Sequence, residues 1–389
     1  MNVIHPYHLH KIRFTEISEI YTSETIKNLA FSLVSVFIPI YLLKNGLTFR
    51  DLCVLYIFQG LMRCLLEPIV GKALARYGGK HILALSYPVS FVYVVLLGVY
   101  PSHATPLATL AFIWAVAESM HWVAYQAAFS KVKDKHKSGR EISAMGVLAV
   151  MVGAVGPLVG GFIATRYGLH LLFIVAPLLL LIAMIPLYQS VEIVRSKKLI
   201  YKGLVRKYKN DLVAHAAISF DVVAGAVIWP LFIYFIVNDY ITLGSIVSLS
   251  FFVSIFVLII IGKLSDLFNK KKLIVVGSVG LAVINIFRNL ATTFWFAFGV
   301  NIAGIVVGPL LYTPLFSLFY SHADSVRRIE YTVIMEMAGD AARTIMWALL
   351  YVLTFWLDRR HVFMAAFGMA VMALLFTNIV KLRVRSSSN

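Results

Sequence analysis

Trp114, Glu118, His121 and Tyr125 are spaced by 4, 3 and 4 residues, which puts them on one stripe of a helix. A carboxylate inside an apolar run takes up a proton when dehydrated and releases it when wet, and an imidazole one turn away can share or relay it. Permanent pairing of Glu118 with Arg63 is the alternative. Glu336, Asp340, Arg343 and Trp347 repeat the same spacing with two acids against one arginine. Asp340 and Arg343 can pair within the helix, leaving one carboxylate to be protonated or paired elsewhere. Gln59, Arg63 and Glu67 form a third stripe, where an i,i+4 ion pair is the simplest account. Asp221, beside Phe220 and near Trp229, suits a cationic or hydrogen-bonding substrate group, a second proton, or a pair with Lys27. Asn301, Gly304, Gly308 and Tyr312 share one more stripe, fit for substrate access or for packing. Glu24 and Lys27 lie near the end of an apolar run and can snorkel, with Asn28 and Ser35 further in.

The elements carrying these residues follow from composition. Of 389 residues, 60% are hydrophobic and 14% charged, and the mean hydropathy is +0.85. A soluble domain would need about a quarter charged residues, so an ordinary soluble enzyme is excluded. A helix crosses the hydrocarbon core with about 20 mainly apolar residues. Twelve stretches qualify: 24–43, 51–71, 81–100, 105–128, 142–165, 169–190, 211–237, 243–262, 273–291, 294–320, 330–356 and 361–380. Charges inside them cost about 2.5–3.5 kcal/mol each on insertion scales and therefore demand partners, water or protons.

Loop charges set the orientation. With the N-terminus inside, 26 of the 35 Lys and Arg fall in inner segments, five in outer loops and four within spans. Both termini are therefore expected in the cytoplasm. The net charge of +17 is then a matter of topology, and no nucleic-acid partner is implied. Met1 to Ile20 hold no apolar signal-peptide core, so no N-terminal cleavage is expected. His5, His8 and His10 read as a solvated tail rather than a metal site, and Cys53 and Cys64, eleven residues apart, lie beyond disulfide reach on a helix.

The polar stretch 191–210 separates six spans from six. Pro39 recurs as Pro230, and Gly71-Lys72 as Gly262-Lys263, both at a spacing of 191 residues, while Glu141 has a looser counterpart in Glu330. These coincidences suggest a duplicated six-helix unit. After span 2 comes Gly71-Lys72-Ala73-Leu74-Ala75-Arg76-Tyr77-Gly78-Gly79-Lys80, and after span 8 Gly262-Lys263-Leu264-Ser265-Asp266. Span 5 carries Gly153-Ala154-Val155-Gly156-Pro157-Leu158-Val159-Gly160-Gly161. These motifs, along essentially the whole chain, resemble the major facilitator superfamily, although Ala75 replaces the aspartate usual in the first loop. Gly156 and Gly160 make a small-x-x-x-small seam, and Pro157 predicts a bend.

The resemblance implies an all-α membrane protein of twelve transmembrane helices in two pseudo-symmetric six-helix bundles, the major facilitator fold. The expected units are 1–22, 23–190, 191–210, 211–380 and 381–389. It also implies that spans 1, 4, 7 and 10 line a central cavity, so that Glu118, His121 and Asp221 are proton-coupling candidates. Trp114, Tyr125, Asn28, Asn301 and Tyr312 become cavity candidates. Arg63, Glu67, Glu336, Asp340 and Arg343 are expected to form an intramembrane charge network. Gly71, Arg76, Gly78, Lys80, Gly262 and Asp266 are expected at a cytoplasmic gate. Gly153, Gly156, Pro157, Gly160 and Gly161 are expected to pack helices, a motif the family associates with export. No phosphate-binding loop or zinc helix is present in the sequence, and no cofactor or metal is expected. The expected activity is that of a monomeric secondary transporter in a bacterial cytoplasmic membrane, among lipid. It exports an apolar or weakly basic small molecule against protons; passage of a polar solute such as a sugar or organic acid is the alternative. A membrane scaffold without transport is a third reading.

Overall fold

The computed structural model describes residues 16–100, 106–132, 138–188, 199–267, 269–324 and 327–380, with side chains for all of these except 16–18, 129–132, 138–149, 188, 258–267 and 324. The described residues are helical, with no strand among them. The helices are α1 (Glu16–Val34), α2 (Ile38–Lys44), α3 (Phe49–Tyr77), α4 (Gly79–Gly98), α5 (Leu107–Val132), α6 (Ser138–Tyr167) and α7 (Leu169–Met184). They continue with α8 (Leu204–Lys207), α9 (Lys209–Val223), α10 (Trp229–Val237), α11 (Tyr240–Leu267), α12 (Lys270–Arg288), α13 (Phe294–Asp324), α14 (Arg328–Leu353) and α15 (Arg359–Leu374). Ten helical stretches among the described residues are long and apolar enough to cross a membrane, and the protein is a multi-pass integral membrane protein. The remaining two expected spans are the helices α12 and α14, which fall outside those ten. The first carries Lys270, Lys271, Lys272 and Arg288, the second Glu330, Glu336, Asp340 and Arg343.

Local chemistry explains where helices begin and break. Thr48 Oγ1 accepts from Asp51 N and Asp51 Oδ2 accepts from Thr48 N at 2.7 Å, a reciprocal box that starts α3. Gly78 (φ +103°) joins α3 to α4 and Gly168 (φ +86°) joins α6 to α7 with a single residue each. Only glycine takes such angles without strain. Span 1 is not one helix: it breaks between Val34 and Ile38, just before Pro39. Span 7 deforms in the same place, through a wide π turn at Ala224–Ile228 just before Pro230. A proline has no N–H to give to the carbonyl four residues back, so the repeated proline produces a repeated irregularity.

Glycines set the closest helix approaches. A Cβ on Gly156 would stand 1.8 Å from Ser32 Oγ, and one on Gly160 2.4 Å from Leu33 O, so this seam meets α1. A Cβ on Gly161 would face the other way, 2.6 Å from Tyr240 O, and one on Gly244 would stand 2.2 Å from Pro157 O. Thus α6 is wedged between α1 and α11. A Cβ on Gly153 would meet nothing within 4 Å. α6 runs through Pro157 as one continuous helix. α3 packs along α14, α5 against α3 and α4, α9 against α14 and α15, and α12 against α13. One apolar core runs through both sequence halves, and a smaller one joins Leu74, Leu83, Val123 and Val333. Along α3 and α5 the ionisable residues Arg63, Glu67 and Glu118 fall between these two cores, and His121 lies within the smaller one.

Candidate functional site

Arg63 of α3, 5% exposed, reaches four carboxylates on three helices. Its Nε lies 2.9 Å from Asp340 Oδ2, and its Nη2 lies 3.2 Å from Glu336 Oε2 and 3.7 Å from Glu67 Oε1. Its Nη1 lies 3.9 Å from Glu118 Oε2. Arg343 binds Asp340 and approaches Glu336 at 3.9 Å, while Gln126 Nε2 donates to Glu336 Oε1 at 2.5 Å. Trp122 Nε1 donates to Glu118 Oε2 at 2.6 Å. Four carboxylates thus face two guanidiniums, so the cluster is neutral only when it also holds protons. Oxygens of Glu67, Glu336 and Asp340 lie within 4.8 Å of one another, a spacing able to hold a metal ion. The Arg63 guanidinium already stands among them and supplies the cation.

A second polar group joins α1, α4 and α5. His121 Nε2 lies 3.2 Å from Glu24 Oε2, and Glu24 lies 3.6 Å from Lys27 Nζ. The Lys27 ammonium rests 4.9 Å from the Trp122 ring, and the His121 ring stacks on Tyr125. Ser23 Oγ donates to Ala183 O at 2.6 Å and pairs with Tyr87.

A cavity of about 680 Å³ opens between α1, α6, α9 to α11, α12 and α13. Asn28, Ser32 and Ser35 line it from α1 and the break that follows, Gly153 and Pro157 from α6. Opposite stand Asp221, Trp229, Arg288, Asn301 and Tyr312. A chain of hydrogen bonds fixes that wall. Asn285 Nδ2 donates to Asp221 Oδ1 at 2.6 Å, and Tyr312 Oη donates to Asp221 Oδ2. Arg288 Nη1 donates to Asn285 Oδ1 at 2.8 Å. Trp229 Nε1 donates to Asn301 Oδ1 at 3.0 Å, and Asn301 Nδ2 donates to Ser250 Oγ at 2.8 Å. The π turn at Ala224–Ile228 places Gly225 and Ala226 in the same wall, and such turns are frequent at functional sites.

Comparison with known families matches residues 22–235 to the Major Facilitator Superfamily. The chain belongs to this superfamily. Its members are transporters, not enzymes. One relative is the uncharacterized protein YqgE of Bacillus subtilis (strain 168), 24% identical over 340 residues that cover 82% of this chain and 78% of that protein.

Within this member of the superfamily, Asp221, Asn28, Asn301 and Tyr312 do meet at one cavity. Trp114 and Tyr125 do not border it. Trp114 stacks on Tyr93 and Tyr125 on His121, because the polar stripe of α5 is turned toward α1, α3 and α4. The pair suggested between Asp221 and Lys27 is not formed: each is held by its own neighbours, Asn285 with Tyr312, and Glu24. The Arg63–Glu67 pair exists at 3.7 Å but is longer than the 2.9 Å contact across to Asp340. Of the loop motif, Lys80 is buried with its Nζ 2.9 Å from Glu19 Oε2, not spread on the membrane surface. A Cβ on Gly71 would stand 2.8 Å from Val333 and 3.1 Å from the Tyr201 hydroxyl. Burial in the linker pushes the Tyr201 phenol up to about 12. Arg76 is exposed and lies over Tyr77. The side chain of Asp266, and whatever Gly262 packs on, lie outside the described residues. Sequence reasoning passed over Arg288, Asn285 and Gln126. The i,i+3 spacing of Asn285 and Arg288 in an apolar span was the available signal.

Proposed function

We propose that the chain is a secondary active transporter working by alternating access. Twelve spans form two six-helix bundles, 23–190 and 211–380, joined by the linker 191–210. Both termini are cytoplasmic, and the molecule works as a monomer in a bacterial cytoplasmic membrane. The observation that carries this reading is the cavity, whose polar walls come from both sequence halves, Asn28, Ser32 and Ser35 facing Asp221, Arg288 and Asn301. A pathway between two bundles needs such a shared site, and a scaffold does not.

At one end the halves are tied together. Arg50 Nη2 donates to Thr354 O at 2.8 Å, and Lys44 lies over Tyr234 and Tyr240 at 5.7 and 5.1 Å. Phe37 meets Tyr240 edge-on. In the orientation favoured by loop charge this is the outer end, and at the inner end Val333 of the second half packs with Leu74 of the first. Protons enter the Arg63 cluster at Glu118, whose side chain is 17% exposed against 6% or less for Arg63, Glu67, Glu336 and Asp340. Of the two substrate classes, a polar solute is favoured over a weakly basic one, because both oxygens of Asp221 are already bonded.

The test needs no substrate. Cys53 and Cys64 are replaced by alanine, Ser35→Cys is added, and a membrane-impermeant maleimide is applied to oriented proteoliposomes. Labelling is expected from one face only, and Arg50→Ala is expected to open labelling from the other. A Ser35→Cys thiol that reacts from neither face, or whose sidedness ignores Arg50, refutes alternating access.

A further inference from the structure

We infer that Arg288 is the anion receptor of the cavity, and that the transported molecule is a monocarboxylate on an apolar body. This rests on the cavity being the substrate site. A guanidinium carries five N–H donors in a planar fork that matches a carboxylate. The fork of Arg288 is 7% exposed, and Nη1 is engaged by Asn285. Its Nε has no hydrogen-bond partner. No carboxylate of the described residues lies within 4.0 Å of it, whereas Arg63 and Arg343 both bind acids directly. An arginine within a membrane span normally pairs with an acid or faces a water-filled cavity, and here it lines the cavity.

The surroundings keep the fork available. Asn285 stands between Asp221 and Arg288, giving its amide N–H to the one and its carbonyl to the other. A direct ion pair would leave neither charge for a ligand. Gly225 and Gly304 flank the guanidinium, and a Cβ on either would come within 3.4 and 3.5 Å of its terminal nitrogens. The rings of Trp229 and Phe367 lie 5.4 and 5.9 Å from the guanidinium carbon, which holds the planar group by cation–π attraction without using its N–H donors. Phe31, Ile233, Val247 and Phe251 line the rest, so the ligand body is apolar. The carboxyl group of Asp221, one amide away, disfavours a dianion and selects a single negative charge.

The test compares matched probes on the full chain in nanodiscs: biphenyl-4-carboxylate, its amide, and the amine of the same skeleton. Affinity is read from the ligand-dependent rise in melting temperature. In the wild type the carboxylate is expected to bind about tenfold or more tighter than the amide, the usual yield of a charge-assisted hydrogen bond. Arg288→Gln is expected to equalise the two, and Arg288→Lys to keep part of the preference because charge remains but the fork is lost. The wild-type comparison stands even where a variant does not fold. Equal binding of carboxylate and amide, tighter binding of the amine, or binding by none of the three overturns the anion receptor. The sidedness of Ser35→Cys labelling is independent of these probes, so failure here leaves the cavity reading intact, and failure there removes it.

Discussion

Removing the Arg63 guanidinium is the sharpest perturbation of the buried network. Four carboxylates lie 2.9, 3.2, 3.7 and 3.9 Å from its nitrogens. In Arg63→Gln, Asp340 and Glu336 retain Arg343. Glu67, fully buried, and Glu118 retain no cation within 4.0 Å among the described residues. Orphaning a buried charge costs about 3–5 kcal/mol, and the lower half of that range is expected because two of the four acids keep a partner. Unfolding in SDS–detergent mixtures, followed by tryptophan fluorescence, measures it. A double-mutant cycle with Asp340→Asn isolates the shortest contact, with an expected coupling of about 1 kcal/mol or more. A loss below about 1 kcal/mol for Arg63→Gln, or strictly additive effects in the cycle, would show that the acids are neutralised without Arg63 and refute the reasoning.

Two glycines in the same assay should respond with opposite sign. Gly160→Ala puts a methyl 2.4 Å from Leu33 O and should cost about 1–3 kcal/mol through overpacking. Gly299→Ala meets nothing within 4 Å on an exposed helix face and should gain about 0.5–1 kcal/mol. Thr48→Ala removes half of the box that begins α3 and should cost about 1 kcal/mol, whereas Thr48→Ser should be nearly neutral.

Membrane residence and the helix count to within the charged pair α12 and α14 were legible in the sequence, because hydrocarbon imposes a length and an apolarity on each span that composition alone reveals. The acids of α14 and the arginine of α3 were also visible as charges that required partners. Spacing along one helix could suggest Arg63 with Glu67, but the nearer partner, Asp340, lies 277 positions away and is supplied by packing α3 on α14. The same limit hid the cavity wall. Asn285, Arg288, Asp221 and Tyr312 sit on three helices, and only their tertiary arrangement decides that the carboxylate is satisfied while the guanidinium Nε is left without a partner. Sequence fixes which charges must be neutralised inside a bilayer; rotation and contact of whole helices, set by glycine seams such as Gly156–Gly160, fix which neighbour does it.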